Sequence, residues 1–181
     1  MPLRLLSSIA AAFAALLLAS CAGNSRFSPG PSPEPGTRVN WPGKSFTEVR
    51  GFCYDYTAEF SRHFFVNGRM HKGVMDPKGV KLTAEQTKRL LDAITISQPK
   101  AYAGGCYKPH HAYVFYDAQG KVVGVFEMCF ACNEYVATPD GLPRYINRSD
   151  LWLLTRDLGL PLGSGNQFYT DAVHAAHHSN P

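Results

Sequence analysis

Cys129-Phe130-Ala131-Cys132 sets two thiols three residues apart, and Cys106 stands one hairpin upstream, followed closely by His110 and His111. Three chemistries suit such a set. The first is a structural disulfide. A Cys106–Cys132 bond would close a loop of 25 intervening residues, worth roughly 3 kcal/mol in the chain-entropy model. The second is thiol–disulfide exchange at the Cys-x-x-Cys pair, which needs a helix after the pair to lower the first thiol's pKa. Asn133-Glu134-Tyr135-Val136 and Pro139 make a poor helix, and no βαβ pattern surrounds the pair. The third is a tetrahedral zinc set of Cys106, Cys129, Cys132 and either His110 or His111. Cys53 lies on an earlier segment with no neighbour fixed by the sequence.

The hairpin that carries these thiols is legible. His111–Tyr116 and Lys121–Met128 are rich in β-formers and are separated by Asp117-Ala118-Gln119-Gly120. If Asp117 faces Lys121, then Tyr113 faces Val125, His111 faces Glu127 and Cys106 faces Cys132. A loop one residue shorter puts Cys106 opposite Ala131 and Cys129 opposite Lys108. Either register brings Cys106 near the Cys129/Cys132 pair. A His111–Glu127 couple could exchange protons, although a half-buried cross-strand pair is the plainer reading. His174 and His178 stand four apart with Asp171 before them. On a helix they would share a face suited to zinc, but a polar chain end is the reading adopted. Gly-x-Ser-x-Gly, His-Glu-x-x-His and phosphate-loop motifs are absent from the sequence. No catalytic residue is assigned, a catalytic role is not the favoured one, and no cofactor is expected.

Other elements must hold the hairpin. Val49–Tyr56 reads as a strand. Phe64–Met70 contains Asn67-Gly68, a type I′ turn signal. Thr83 and Gln86 fit a capping box, and Thr87, Leu90, Leu91 and Ile94 fall on one helical face. A last helix is expected from Ser149 to Leu158, with Gly159 after it and Pro161 as a stop. The expected core includes Leu90, Leu91, Ile94, Val114, Val123, Val125, Phe126, Leu151 and Leu154. The order of elements gives an α+β domain: a small antiparallel sheet of hairpins with two packed helices.

The chain has 181 residues, 45% hydrophobic and 18% charged, with a formal net charge of +4. One domain with a packed core fits this composition. The basic residues are dispersed, so a nucleic-acid partner is not expected. Residues 1–20 carry a basic residue, Arg4, near their start and continue in an uncharged apolar run, Ile9–Leu18, the order of a secretory signal peptide. The run is too short to span a membrane. Leu18-Ala19-Ser20-Cys21 resembles the lipobox of bacterial lipoproteins. That resemblance implies cleavage before Cys21 and acylation of its thiol. Ala22 is not acidic, which by the family's sorting rule implies the outer membrane, with the domain facing the periplasm. Residues 21–44, rich in Pro, Gly and Ser, read as a linker. The globular α+β domain is expected over 45–162, and 163–181 as a flexible tail. Export leaves Cys53, Cys106, Cys129 and Cys132 in an oxidising compartment, where disulfides are expected.

A second resemblance covers the hairpin. Cys106-Tyr107-Lys108-Pro109, Phe115-Tyr116-Asp117 and Cys129-Phe130-Ala131-Cys132-Asn133 are similar to a pattern in uncharacterised bacterial proteins. So is Leu82-Thr83-Ala84-Glu85-Gln86. It implies no activity and marks helix, hairpin and cysteines as one unit. The functional expectation is an envelope lipoprotein bound to the membrane by its N-terminal lipid. Its non-catalytic domain would bind a protein or cell-wall component, in the manner of an inhibitor or immunity protein. The alternative is a thiol–disulfide or metal-handling protein using Cys106, Cys129 and Cys132.

Overall fold

The computed structural model describes residues 32–102 and 104–179. The expected signal peptide, residues 1–20, and Cys21 lie outside the described residues. The fold is mixed α+β. A five-stranded antiparallel sheet runs in the order β4-β1-β5-β6-β7. Its strands are β1 (Glu48–Cys53), β4 (Val80–Lys81), β5 (His111–Tyr116), β6 (Val122–Cys129) and β7 (Glu134–Thr138). A separate two-stranded ribbon joins β2 (Phe65–Val66) to β3 (Arg69–Met70). Asn67 and Gly68 turn that ribbon with φ of 51° and 78°, the backbone signs a type I′ turn requires.

The central strands are covered on both faces, which is why β5 is an almost unbroken apolar run. One face carries Val49, Tyr113, Phe115 and Phe126 against Leu90 and Ile94 of α1 (Ala84–Thr95) and Leu151 and Leu154 of α2 (Arg148–Asp157). The opposite face carries Phe52, Tyr54, Val114 and Val125, closed over by Tyr56, Phe64 and Val74. Of the expected core residues, Leu91 and Val123 are only partly buried at its margin, and the others are buried. The capping box at Thr83 is present, with the Gln86 N–H donating to Thr83 Oγ1 and the Thr83 N–H to Gln86 Oε1. Helix α2 begins at Arg148, one residue before the expected Ser149, and Asn147 caps it. It ends in a Schellman motif: the Leu160 N–H reaches the Thr155 carbonyl and the Gly159 N–H that of Arg156, with Gly159 at φ 71°.

The structure departs from expectation at both ends of the domain. Part of the expected linker is packed. Arg38 bridges Ile96 at the end of α1. Trp41 is buried against Phe115, and its Nε1 donates to the Pro139 carbonyl at 2.7 Å. Gly124 makes room for it, since a Cβ there would lie 2.9 Å from Pro42 and 3.2 Å from the Trp41 ring. The expected flexible tail is helical over α3 (Asn166–Ser179). Tyr169 and Val173 of α3 are buried, Thr170 Oγ1 donates to Asp55, and His177 Nε2 donates to the Val74 carbonyl. These contacts recur every four residues, enough to hold one helical face.

Register is the third correction. Tyr116 pairs with Val122 as the longer loop requires, but a bulge after Phe115 shifts every later pair by one. His111 therefore faces Met128, and Ala112 faces Glu127. Since side chains alternate across a strand, one residue of slip sends Glu127 to the sheet face opposite His111. The expected His111–Glu127 couple does not form.

Candidate thiol centre

Strand β6 ends at Cys129, and the chain turns back through Phe130–Asn133 into β7, with Asn133 in the left-handed region at φ 57°. A tight turn of this kind aims both thiols of Cys129-x-x-Cys132 to one side. The loop that precedes β5 brings Cys106 to the same place. The sulfurs of Cys106, Cys129 and Cys132 lie within 4.8 Å of one another. All are free thiols, Cys129 and Cys132 buried and Cys106 exposed.

Backbone contacts lock the loop onto the turn. The Gly104 N–H donates to the Cys132 carbonyl at 2.7 Å, and Asn133 Nδ2 donates to the Tyr102 carbonyl at 2.6 Å. A Cβ at Gly104 would stand 3.1 Å from the Cys132 Cβ, so a side chain there would crowd the turn. The Cys132 thiol donates to the Cys106 carbonyl. Burial pushes the Cys132 thiol well above the ordinary range, and its hydrogen bonding with Cys106 and Cys129 pushes it further the same way.

The backbone lacks the device of a thioredoxin-like dithiol. In such sites a helix N-terminus after the pair lowers the pKa of the first thiol. Here a strand, β7, follows the pair instead, and the second thiol, Cys132, is shifted upward. A metal ion changes that balance, because coordination deprotonates the thiol outright. Metal–sulfur bonds of about 2.3 Å put the sulfurs of one ion about 4 Å apart, close to the observed spacing.

The other sequence candidates are placed elsewhere. Cys53 points to the helical face of the sheet, and burial, with the Asp55 charge second, pushes its thiol up to about 12. His110 hydrogen-bonds the Tyr54 carbonyl through Nδ1 and stacks on Tyr169 at 3.7 Å between ring centroids. His111 donates from Nε2 to the Pro161 carbonyl at 2.8 Å, and its buried Nδ1 has no hydrogen-bond partner among the described residues. Burial lowers its pKa to about 4. Neither histidine joins the thiols. On α3, His174 and His178 approach to 3.3 Å between their Nε2 atoms on an exposed surface, while Asp171 accepts from Gln167.

Sequence reasoning missed the true setting of Glu127. The residue is 5% exposed and stands two residues before Cys129 on the same sheet face. Oε2 accepts from the Tyr107 hydroxyl at 2.7 Å and lies 3.2 Å from His63 Nδ1, and Oε1 accepts from the Phe64 N–H at 3.0 Å. Burial, with the Glu127 charge second, raises the Tyr107 pKa, which keeps the phenol protonated as a donor. A buried glutamate in an aromatic neighbourhood was the available signal. Compared with protein-family models, with curated proteins and with solved structures, the chain finds no match.

Proposed function

We propose that the chain is a bacterial envelope lipoprotein whose non-catalytic domain binds a soft or borderline metal ion through Cys106, Cys129 and Cys132. The lipobox-like Leu18-Ala19-Ser20-Cys21 supports acylation of Cys21, an outer-membrane anchor and a domain facing the periplasm. The observation that carries the metal reading is the convergence of three free sulfurs within 4.8 Å. Two donors come from one tight turn and the third from a separate loop, which is how a folded chain builds a chelate rather than a chance pair. Exposure of Cys106 gives an ion a route in. Cobalt(II) titration of the reduced protein under nitrogen tests this. One equivalent should produce a thiolate charge-transfer band that is weakened by about a third in Cys106→Ser and in Cys132→Ser and kept whole in Cys53→Ser. Absence of the band, or an undiminished band in Cys106→Ser, would overturn the assignment.

A second reading, binding of a protein or cell-wall partner in an inhibitor-like manner, rests on a different observation. A shallow groove of about 640 Å³ beside the cysteine turn is lined by Pro99, Asn133, Ile146, Trp152 and Leu153. Trp152 is 40% exposed and neighbouring Tyr102 is 85% exposed. Cross-linking from Trp152 on the anchored protein, with identification of a single specific adduct, is the measurement that favours this reading.

A further inference from the structure

We infer that Glu127 is the positioning residue of the thiol centre, its carboxylate holding Cys106 against Cys129 and Cys132 through Tyr107. The inference deepens the metal-binding reading and rests on it for its purpose, though not for its geometry. A buried carboxylate is expensive unless its oxygens are fully paired. An apolar residue would pack more cheaply among Phe64, Tyr54 and Val125. Among the described residues, the hydrogen-bond partners of Glu127 come from two loops: His63 and Phe64 from one, Tyr107 from the other. The second loop carries Cys106, immediately before Tyr107.

That loop has no regular secondary structure of its own between residues 104 and 110. One side is tied to the Cys132 turn through the Gly104 N–H and through the Cys106 carbonyl, which accepts from the Cys132 thiol. The other side is tied at Tyr107, whose hydroxyl reaches Glu127 and whose carbonyl accepts from Arg62 Nη1 at 2.8 Å. Glu127 in turn stands on the strand that ends in Cys129. A hydroxyl donating to a carboxylate therefore fixes the distance between the exposed thiol and the two buried ones. A hydrogen bond to a charged group is stronger than one between neutral groups, so this tie outweighs a peptide contact in ordering the loop.

The test uses the full chain with Tyr107→Phe, which deletes one oxygen, and Glu127→Gln, whose amide offers one acceptor where two donors converge. Cadmium(II) is the probe, followed by its thiolate absorption under reducing conditions. Each variant should weaken cadmium binding about tenfold or more, the scale of a lost charge-assisted hydrogen bond. In a Cys106→Ser background the same substitutions should leave cadmium binding unchanged, because nothing remains to position. A purely structural role would weaken both backgrounds alike, and that result would overturn the inference. A second readout does not involve metal. In a Cys53→Ser chain, glutathione disulfide oxidises two thiols to a disulfide and is itself reduced to two glutathione thiols. The equilibrium for a bond from Cys106 to Cys129 or Cys132 should fall about tenfold in Tyr107→Phe. If the parent binds no cadmium but this equilibrium shifts, the metal reading fails and the positioning role stands. If the equilibrium is unmoved in both variants, the positioning role fails.

Discussion

His111 makes the protein sensitive to mild acid, and the size of the effect follows from its burial. Its Nε2–H is committed to the Pro161 carbonyl and its Nδ1 has no partner among the described residues, so the ring is held neutral at 1% exposure. Burial lowers its pKa from 6.5 to about 4. The sign follows from proton counting. Between those values the unfolded chain binds a proton that the folded chain refuses, so stability falls as pH falls. The contribution is whole above pH 6.5 and is lost progressively down to about 4. At about 1.4 kcal/mol per pH unit, the full loss is about 3 kcal/mol, of which about 2 kcal/mol is gone by pH 4.5. Lowered carboxylates such as Asp55 and Asp92 also lose stability in acid, but their loss is completed below the ordinary carboxylate range. The perturbation is His111→Gln, whose amide can still donate to Pro161 and cannot be protonated. Urea unfolding at pH 7 and pH 4.5 should show a drop about 2 kcal/mol smaller in the variant than in the parent. Equal drops would refute the claim that this imidazole is buried neutral.

Other consequences are as direct. Leu154→Ala, at 0% exposure between α2 and the sheet, should cost about 2–5 kcal/mol in urea unfolding; a change below about 0.5 kcal/mol would remove it from the core. Tyr169→Ala should cost about 3 kcal/mol, because the ring stacks on His110 and its hydroxyl meets Gly163; an unchanged midpoint would mean α3 is not part of the folded unit. Cys21→Ala should leave an unprocessed or unlipidated form, and a variant that fractionates and migrates like the parent would contradict the lipoprotein proposal.

What could be read from sequence was what local chemistry dictates. The capping box at Thr83, the Asn67-Gly68 turn and the β5–β6 hairpin announce themselves within a few residues. So does the nearness of Cys106 to the Cys-x-x-Cys turn, since either hairpin register produces it. The bulge after Phe115 leaves no mark in composition, yet it moved Glu127 to the other face of the sheet. The consequence is large because strand side chains alternate. Strand β7 holds the β-formers Tyr135, Val136 and Thr138, but a run of five residues bounded by Asn133 and Pro139 is too short to fix as a strand before its pairing with β6 is known. Helix α3 was hidden because Tyr169 and Val173 are a sparse stripe among alanines and histidines, and their burial depends on His110 and Asp55 far away in sequence. The Glu127 network failed for the same reason: its partners His63, Phe64 and Tyr107 come from two loops that only the fold brings together.

The central claim is that Cys106, Cys129 and Cys132 form one metal-binding centre. X-ray absorption at the edge of zinc, on the zinc-loaded and desalted full chain, tests it most directly. One retained ion with three sulfur neighbours at about 2.3 Å is expected, the three falling to two in Cys106→Ser. A desalted protein that retains no zinc, or a first shell of nitrogen and oxygen alone, would contradict it.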